Sequence, residues 1–132
     1  MSEGPPTDRR YTKDHEWARE AGGEVTVGIT AFAVEQLGDV TLVNLDVKAG
    51  DVVTAGKAFG TIESVKTLSD LYAPAAGKVL RVNDQLATKP ELVNEDCYGA
   101  AWMIAIAPTD PGALSGLMGA ESYAAHAKSA AH

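Results

Sequence analysis

Cysteine and long apolar runs are what this sequence most clearly lacks. It has one cysteine, Cys97, which excludes an intrachain disulfide and a zinc site built from several cysteines. A lone cysteine suits a reducing compartment. Apolar residues never continue for the ~20 positions needed to cross a bilayer. The opening MSEGPPTDRR has neither the apolar core of a signal peptide nor the arginine- and serine-rich pattern of a transit peptide. We therefore expect a cytoplasmic protein that does not enter a membrane.

Positive charge is scarce as well. The chain has 11 lysines and arginines against 18 acidic residues, a formal net charge of −7. Nucleic-acid binders neutralise phosphates with basic side chains, so we expect no nucleic-acid partner. With 132 residues and a hydrophobic content of 45%, the chain can bury one core. We predict a flexible N-terminal arm over residues 1–10 and a single domain over residues 11–132 that includes C-terminal helices.

Catalytic and metal-binding spacings are also missing. A nucleophilic site needs a serine or cysteine beside a base that a third group orients, and no G-x-S-x-G elbow occurs. Cys97 and the three histidines, His15, His126 and His132, follow neither that spacing nor a metal-ligand spacing. The segment GDVVTAGK lacks the ending of a phosphate-binding loop, because alanine follows its lysine. The sequence therefore predicts no catalytic residue, no metal site and no enzyme activity.

Short alternating strands dominate what the sequence does contain. HEWAR and EVTVGIT flank the turn AGG, and Val25, Val27 and Ile29 alternate along one face of the second segment. This pattern predicts a β-hairpin. Thr30 is a suitable N-cap for the short helix AFAVEQL, which Gly38 ends.

Residues 39–84 carry short apolar runs punctuated by glycine, aspartate, asparagine and proline. Such runs favour a small sandwich or barrel over alternating βαβ units. Beyond them, KPELVNED predicts one short helical turn, and AAWMIAIAP predicts a buried strand ended by Pro108. Asp110 and Pro111 form a helix-start signal before the glycine-rich GALSGLMG. ESYAAHAKSA is helical by propensity.

Lys66 stands alone in the stretch GTIESVKTLSDLYAP, with no basic neighbour close by. It lies between two predicted strands, in a turn that lacks the usual Asn-Gly or Asp-Gly pair. Strand alternation puts Phe59, Thr61 and Glu63 on one face and Gly60, Ile62 and Ser64 on the other. By pattern alone this lysine is most simply a solubilising side chain, and its place at a strand tip stays unexplained.

Several segments together resemble one family. ESVKTLSDLYAPAAGKVLRVND closely resembles the lipoyl-attachment segment of the glycine cleavage system H-protein family. YTKDHEWAR resembles the family's opening strand, TVGITAFAVEQLGDV its first helix, and KPELVNEDCYGAAWMIAI the stretch before its last strand. The resemblance covers about residues 11–125. It implies a mainly β fold, a flattened β-barrel or sandwich of the lipoyl/biotinyl carrier type (a barrel-sandwich hybrid) with short flanking α-helices. The domain over residues 11–132 would then be a lipoyl-carrier domain.

The resemblance also implies a covalent cofactor, lipoic acid, on the lysine of an E-S-V-K motif. Here that motif consists of Glu63, Ser64, Val65 and Lys66. In the family the lipoyl arm folds into a cleft lined by acidic residues, which shelter the aminomethyl group that the arm carries. By motif position, the acids of such a cleft would be Glu16 and Asp70. A carboxylate there would favour the charged form of the amine.

The partners that the family implies are three enzymes and an attachment system. Glycine decarboxylase (P-protein) releases CO₂ from glycine and loads the arm, and the aminomethyltransferase (T-protein) passes the carbon to tetrahydrofolate. Dihydrolipoamide dehydrogenase (L-protein) reoxidises the dithiol, and lipoate-attaching enzymes modify the lysine. Such a shuttle has no active site of its own. We expect a monomer, because one arm must reach several enzymes.

Two positions depart from the family pattern, and three alternatives stay open. Gln36 stands where some members have histidine, and Leu68 is bulkier than the residue often found there. One alternative is a relay that passes octanoyl or lipoyl groups to other complexes. A biotin carrier is another, although Val65 and Thr67 replace the usual methionines around the lysine. The third is an interaction domain whose lysine is never modified.

Overall fold

Antiparallel strands are the main regular elements of the computed structural model, which describes residues 5–110 and 112–130. Within these residues the strands are β1 (Arg10–Tyr11), β2 (Glu16–Ala21), β3 (Glu24–Ile29), β4 (Val40–Leu45), β5 (Val52–Val53), β6 (Ala58–Ser64), β7 (Leu68–Tyr72), β8 (Gly77–Val82) and β9 (Ile104–Pro108). The helices are α1 (Ala31–Leu37), α2 (Gln85–Thr88), α3 (Leu92–Glu95) and α4 (Ala120–Ala130). The predicted mainly β fold with short helices is confirmed.

The strands of the described residues form two sheets. Six strands pair in the order β1-β2-β3-β9-β8-β5 and three in the order β4-β6-β7, and every pair is antiparallel. Val27 and Ile106 of the larger sheet and Ile62 and Leu71 of the smaller one belong to one buried hydrophobic cluster. The core therefore lies between the sheets. This arrangement fits a flattened barrel-sandwich, although the described strands do not close into a cylinder.

The hairpin and first helix that the sequence predicts are both present. Strands β2 and β3 pair along their full length, and the turn residues Gly22 and Gly23 both have positive φ, as a two-residue hairpin loop of this type requires. Oγ1 of Thr30 accepts a hydrogen bond from the Ala33 N–H at 3.3 Å and caps α1. Gly38 ends the helix with a positive φ of 75°.

Strands on either side of Lys66 pair as nested hairpins. β6 and β7, which flank the lysine, pair with each other. β5, which precedes β6, pairs with β8, which follows β7. Ile62 faces the core and Glu63 is exposed, on opposite faces as the alternation predicts. The alternation places Phe59 on the same face as Glu63, and this is wrong, because Phe59 is 1% exposed and packs in the core with Ile62. Its strand has a bulge between Ala58 and Gly60, which interrupts the alternation and turns the phenylalanine into the core.

Two arginines of the predicted N-terminal arm contact the domain. Arg10 pairs with Ala18 in β1 and β2. The guanidinium carbon of Arg9 lies 4.6 Å from the centre of the Trp17 ring, and its Nη1 donates to the Tyr98 carbonyl at 3.0 Å. Arg9 and Arg10 are therefore part of the packed structure. Residues 1–4 of the predicted arm lie outside the described residues.

Only one of the two helices predicted near the C-terminus forms. Residues 112–116 make turns, and the N–H of Gly112 donates to Oδ1 of Asp110 at 2.9 Å. The helix-start prediction at Asp110 is therefore wrong, since the side chain stabilises a turn and the glycines that follow oppose helix formation. Pro111 lies outside the described residues. Helix α4 does form, and its Tyr123 stacks on Tyr11 with ring centres 4.7 Å apart.

Candidate functional site

Ser64 closes the hairpin tip that presents Lys66. The backbone N–H of Ser64 donates to the Thr67 carbonyl at 2.8 Å. Its hydroxyl oxygen accepts from the N–H groups of Lys66 and Thr67, at 3.1 and 3.2 Å. The serine side chain thus accepts hydrogen bonds from backbone N–H groups of the turn. In an Asn-Gly turn, backbone carbonyls would accept such bonds. This explains how Val65 and Lys66 occupy the centre of a tight turn without glycine.

The tip also rests on the loop that follows α1. The Val65 N–H donates to the Asp39 carbonyl at 3.0 Å. Gly38 lies against the lysine stem, since a Cβ placed on it would be 3.3 Å from Cε of Lys66. Lys66 itself is exposed. The amine is therefore accessible while the backbone beneath it is held.

Exposed apolar residues lie at the end of the smaller sheet that carries the lysine tip. Leu42, Glu63 and Leu68 lie opposite one another across β4, β6 and β7. Leu68 is 61% exposed and Val65 at the tip is 66% exposed. The bulky side chain of Leu68 thus lies on the surface beside the turn that holds Lys66 rather than in the core.

A cleft of about 170 Å³ opens beside the hairpin, next to the start of β2 and helix α1. Both predicted acids, Glu16 and Asp70, line it, together with Gln36 and Thr67, the residue after the lysine. Its apolar lining residues are Ile29, Ala33, Leu37, Ile62 and Leu71. Residues far apart in sequence therefore meet at one surface next to Lys66.

Glu16 is the buried acid of this cleft. Glu16 is 2% exposed, and its Oε2 accepts a hydrogen bond from the Tyr72 backbone N–H at 2.7 Å. Oε1 has no hydrogen-bond partner among the described residues. Burial raises the pKa of Glu16 to about 8, against the smaller opposing effect of the Tyr72 hydrogen bond. The carboxyl is therefore mainly protonated at neutral pH when no cation lies beside it.

Asp70 differs from Glu16 in its surroundings. It is exposed on the edge strand β7, and its Oδ2 accepts from the Tyr72 hydroxyl at 3.4 Å. The carboxylate of Asp70 is the main reason that the pKa of the Tyr72 hydroxyl is raised. Of the three acids that line the cleft, Glu16 is buried, whereas Asp14 and Asp70 are exposed.

His15 is a cleft residue for which the sequence pattern predicted no role. It has a positive φ of 67°, which is uncommon for a residue with a side chain. Its Nδ1 lies 2.7 Å from the Tyr123 hydroxyl, which is also 2.7 Å from Oγ1 of Thr30. Burial, and then the nearby His126, lower the pKa of His15. Helix α4 is therefore joined to the cleft wall by hydrogen bonds that no local sequence signal reveals.

The described residues offer neither a metal site nor a membrane-spanning helix. Over residues 5–110 and 112–130, no three His, Cys, Asp or Glu side chains are grouped in a way that could hold a metal ion. In that same part of the chain, no helix is both long and apolar enough to cross a membrane.

Known proteins share both the sequence and the fold. The family model described as Glycine cleavage H-protein matches residues 9–130. The glycine cleavage system H protein of Myxococcus xanthus (strain DK1622) is 51% identical over 125 residues, 95% of this chain and 96% of the relative. That of Anaeromyxobacter sp. (strain K) is 52% identical over 120 residues, 91% of this chain and 93% of the relative. The crystal structure of a glycine cleavage system H protein from Mycobacterium marinum matches with a TM-score of 0.82 and 43% identity, covering 91% of this chain and 96% of that one. The chain therefore belongs to the glycine cleavage H-protein family.

Proposed function

We propose that this chain is the lipoyl carrier of a glycine cleavage system and that lipoic acid is attached to Nζ of Lys66. The observation that carries the proposal is the position of this exposed amine at a hairpin tip whose next residue, Thr67, lines a cleft. The family assignment and the E-S-V-K motif of residues 63–66 support it. Attachment forms an amide between Nζ and the lipoyl carboxyl carbon, with loss of water overall, and removes the lysine's positive charge.

The chain's own residues fit an arm that carries an amine. When bound, lipoic acid supplies a disulfide that takes up a one-carbon group and is later regenerated by oxidation. The apolar wall of the cleft, including Ile62 and Leu71, offers a surface for a hydrocarbon arm. The unpartnered Oε1 of Glu16 is a buried polar atom that a ligand could satisfy.

Glu16 and Asp70 would hold the positive charge of an aminomethyl cargo. An ammonium beside Oε1 of Glu16 favours the ionised carboxyl, and so releases the proton that burial otherwise retains. Asp70 adds a second negative charge at the cleft. An amine held in its ammonium form has no free lone pair with which to push out the neighbouring sulfur, so these two acids would protect the cargo between enzymes.

The partners in this proposal are the other members of the glycine cleavage system. Glycine decarboxylase (P-protein) would load the arm, the aminomethyltransferase (T-protein) would unload it, and dihydrolipoamide dehydrogenase (L-protein) would reoxidise it. A lipoate-attaching enzyme would modify Lys66 beforehand. The chain would act as their shared substrate and not as an enzyme.

The test is the intact mass of the protein from its own host, followed by peptide mapping of residues 60–80. We expect a mass increase of lipoic acid minus water, located on Lys66. Lys66→Arg should abolish both the modification and glycine-dependent turnover with the P-, T- and L-proteins, while Lys57→Arg at the start of the same hairpin should change neither. Full lipoylation of Lys66→Arg would disprove the attachment site. A lipoylated wild-type protein that supports no glycine turnover would instead favour the relay role.

A further inference from the structure

Asn94, in helix α3, contacts the backbone beside the lysine tip with both ends of its side-chain amide. Its Oδ1 accepts from the Val40 N–H at 2.9 Å, and its Nδ2 donates to the Gly38 carbonyl at 2.9 Å. Because a backbone N–H only donates and a carbonyl only accepts, one orientation of the amide satisfies both. The side chain thus pairs with the loop as a neighbouring strand would, and holds both ends of the segment 38–40.

Segment 38–40 in turn contacts the tip at two places. The carbonyl of Asp39, between the two residues that Asn94 holds, accepts from the Val65 N–H at 3.0 Å. At Gly38, a Cβ would be 3.3 Å from Cε of Lys66 and 3.7 Å from Cγ2 of Val65. The backbone before the lysine and the stem of the lysine therefore both rest on a segment that Asn94 fixes.

We propose that Asn94 is a positioning residue for Lys66, which holds the segment 38–40 so that the tip presents the lysine to the enzyme that acylates it. The inference rests on the proposed function, because it assumes attachment at this lysine. Asn94 is exposed, so its main contribution is to the position of the tip rather than to the core. Its partner Val40 lies 54 residues earlier in the chain.

The expected effect is on recognition of the acceptor. Without the amide, the tip populates more conformations, and the apparent affinity of an acylating enzyme falls with the fraction that is competent to bind. Loss of one or two ordinary hydrogen bonds corresponds to an increase of about three- to tenfold in KM for the acceptor protein. Once the lysine is bound, the chemistry at Nζ is unchanged, so kcat should stay within about twofold of the wild-type value.

The experiment uses unmodified full-length protein as the acceptor for a lipoate–protein ligase supplied with lipoate and ATP. Steady-state rates give kcat and KM for the wild type, Asn94→Ala and Asn94→Asp. The aspartate keeps an acceptor for the Val40 N–H but places a carboxylate oxygen against the Gly38 carbonyl, so its KM should rise as well. Asn44→Ala is the matched control, since Asn44 is also exposed and its side chain donates to Asp46, two residues along the chain.

Hydrogen exchange at the Val65 amide gives a second measurement that does not depend on the ligase. We expect faster exchange in both Asn94 variants and wild-type exchange in Asn44→Ala, with circular dichroism showing that all are folded. A wild-type KM in either Asn94 variant, or unchanged exchange at Val65, would overturn the inference and leave the proposed function intact. Failure of the wild type to accept lipoate on Lys66 would overturn both.

Discussion

The backbone N–H of Tyr72 donates to Oε2 of Glu16 at 2.7 Å. This bond joins β2 of the larger sheet to the edge strand β7 of the smaller one. It fixes a buried carboxyl at the cleft beside the lysine hairpin, and the other carboxyl oxygen has no partner among the described residues. A residue that ties the two sheets together is therefore also the acid best placed to respond to a cation in the cleft.

Glu16→Gln should change how stability depends on pH. Burial raises the pKa of Glu16 from 4.5 to about 8, so between these values the folded protein keeps a proton that the unfolded chain has lost. The stability that this provides is complete below the unfolded pKa and is lost as pH rises through the folded one. Between about pH 5 and pH 8, the free energy of unfolding measured in urea should fall by roughly 1–4 kcal/mol more for the wild type than for Glu16→Gln. Parallel pH profiles for the two proteins would contradict the burial of this carboxyl.

His15 should titrate below its ordinary pKa of 6.5, and its neighbours should move that pKa in opposite directions. Burial is the main cause of the depression, His126 adds to it, and Asp14 opposes it. An NMR titration should show the pKa of His15 rising in His126→Asn and falling in Asp14→Asn. A group with a depressed pKa contributes stability that is present above the unfolded pKa and is lost as pH falls through the folded one. The stability that His15 contributes is therefore lost as pH falls, whereas the stability that Glu16 contributes is lost as pH rises.

Tyr123→Phe should loosen helix α4 from the cleft wall. The variant keeps the ring that stacks on Tyr11 but loses the hydroxyl 2.7 Å from both His15 Nδ1 and Thr30 Oγ1. We expect a loss of about 1–3 kcal/mol in the free energy of unfolding, because buried polar groups lose a partner. Tyr72→Phe, which removes only a 3.4 Å contact to the exposed Asp70, should leave the free energy of unfolding close to the wild-type value. Equal losses in the two variants would show that the α4 contacts add nothing.

Gly38→Ala should destabilise the loop that supports Lys66. Gly38 has φ 75° and ψ −149°, a conformation essentially restricted to glycine, and a Cβ there would be 3.3 Å from Cε of Lys66. Strain of this kind costs about 1–3 kcal/mol, measurable by urea unfolding. Gly116→Ala is the control, because no atom lies within 4 Å of its Cβ position, and it should stay within about 0.5 kcal/mol of the wild type. A Gly38→Ala protein as stable as the control would show that the loop relaxes freely.

Local sequence signals were sufficient where the structure depends on neighbouring residues. The hairpin around Gly22 and Gly23 and the capped helix after Thr30 follow from alternation, turn residues and capping, all of which act within a few positions. The strands around Lys66 were predicted for the same reason. Glu16 and Asp70 entered only through the family resemblance, and the fold brings both to one cleft.

Where local patterns were wrong, tertiary contacts or a competing turn decided the outcome. Phe59 turned inward because the pairing with β7 contains a bulge, which no alternation pattern shows. The helix-start signal at Asp110 formed a turn with Gly112 instead. A local pattern gives a preference, and the pairing partner determines whether it is realised.

By itself the sequence determined most of the strand segments and that Lys66 occupies a turn between two of them, because these features depend on local chemistry. Only the tertiary structure decided the protonation of Glu16 and the roles of His15 and Asn94. Glu16 gains its partner Tyr72 from 56 positions away, His15 gains Tyr123 from 108, and Asn94 holds a loop 54 to 56 positions earlier. Burial and hydrogen bonding between distant segments set the pKa of a carboxyl and the position of a loop, and these exist only once the two sheets and α4 have packed.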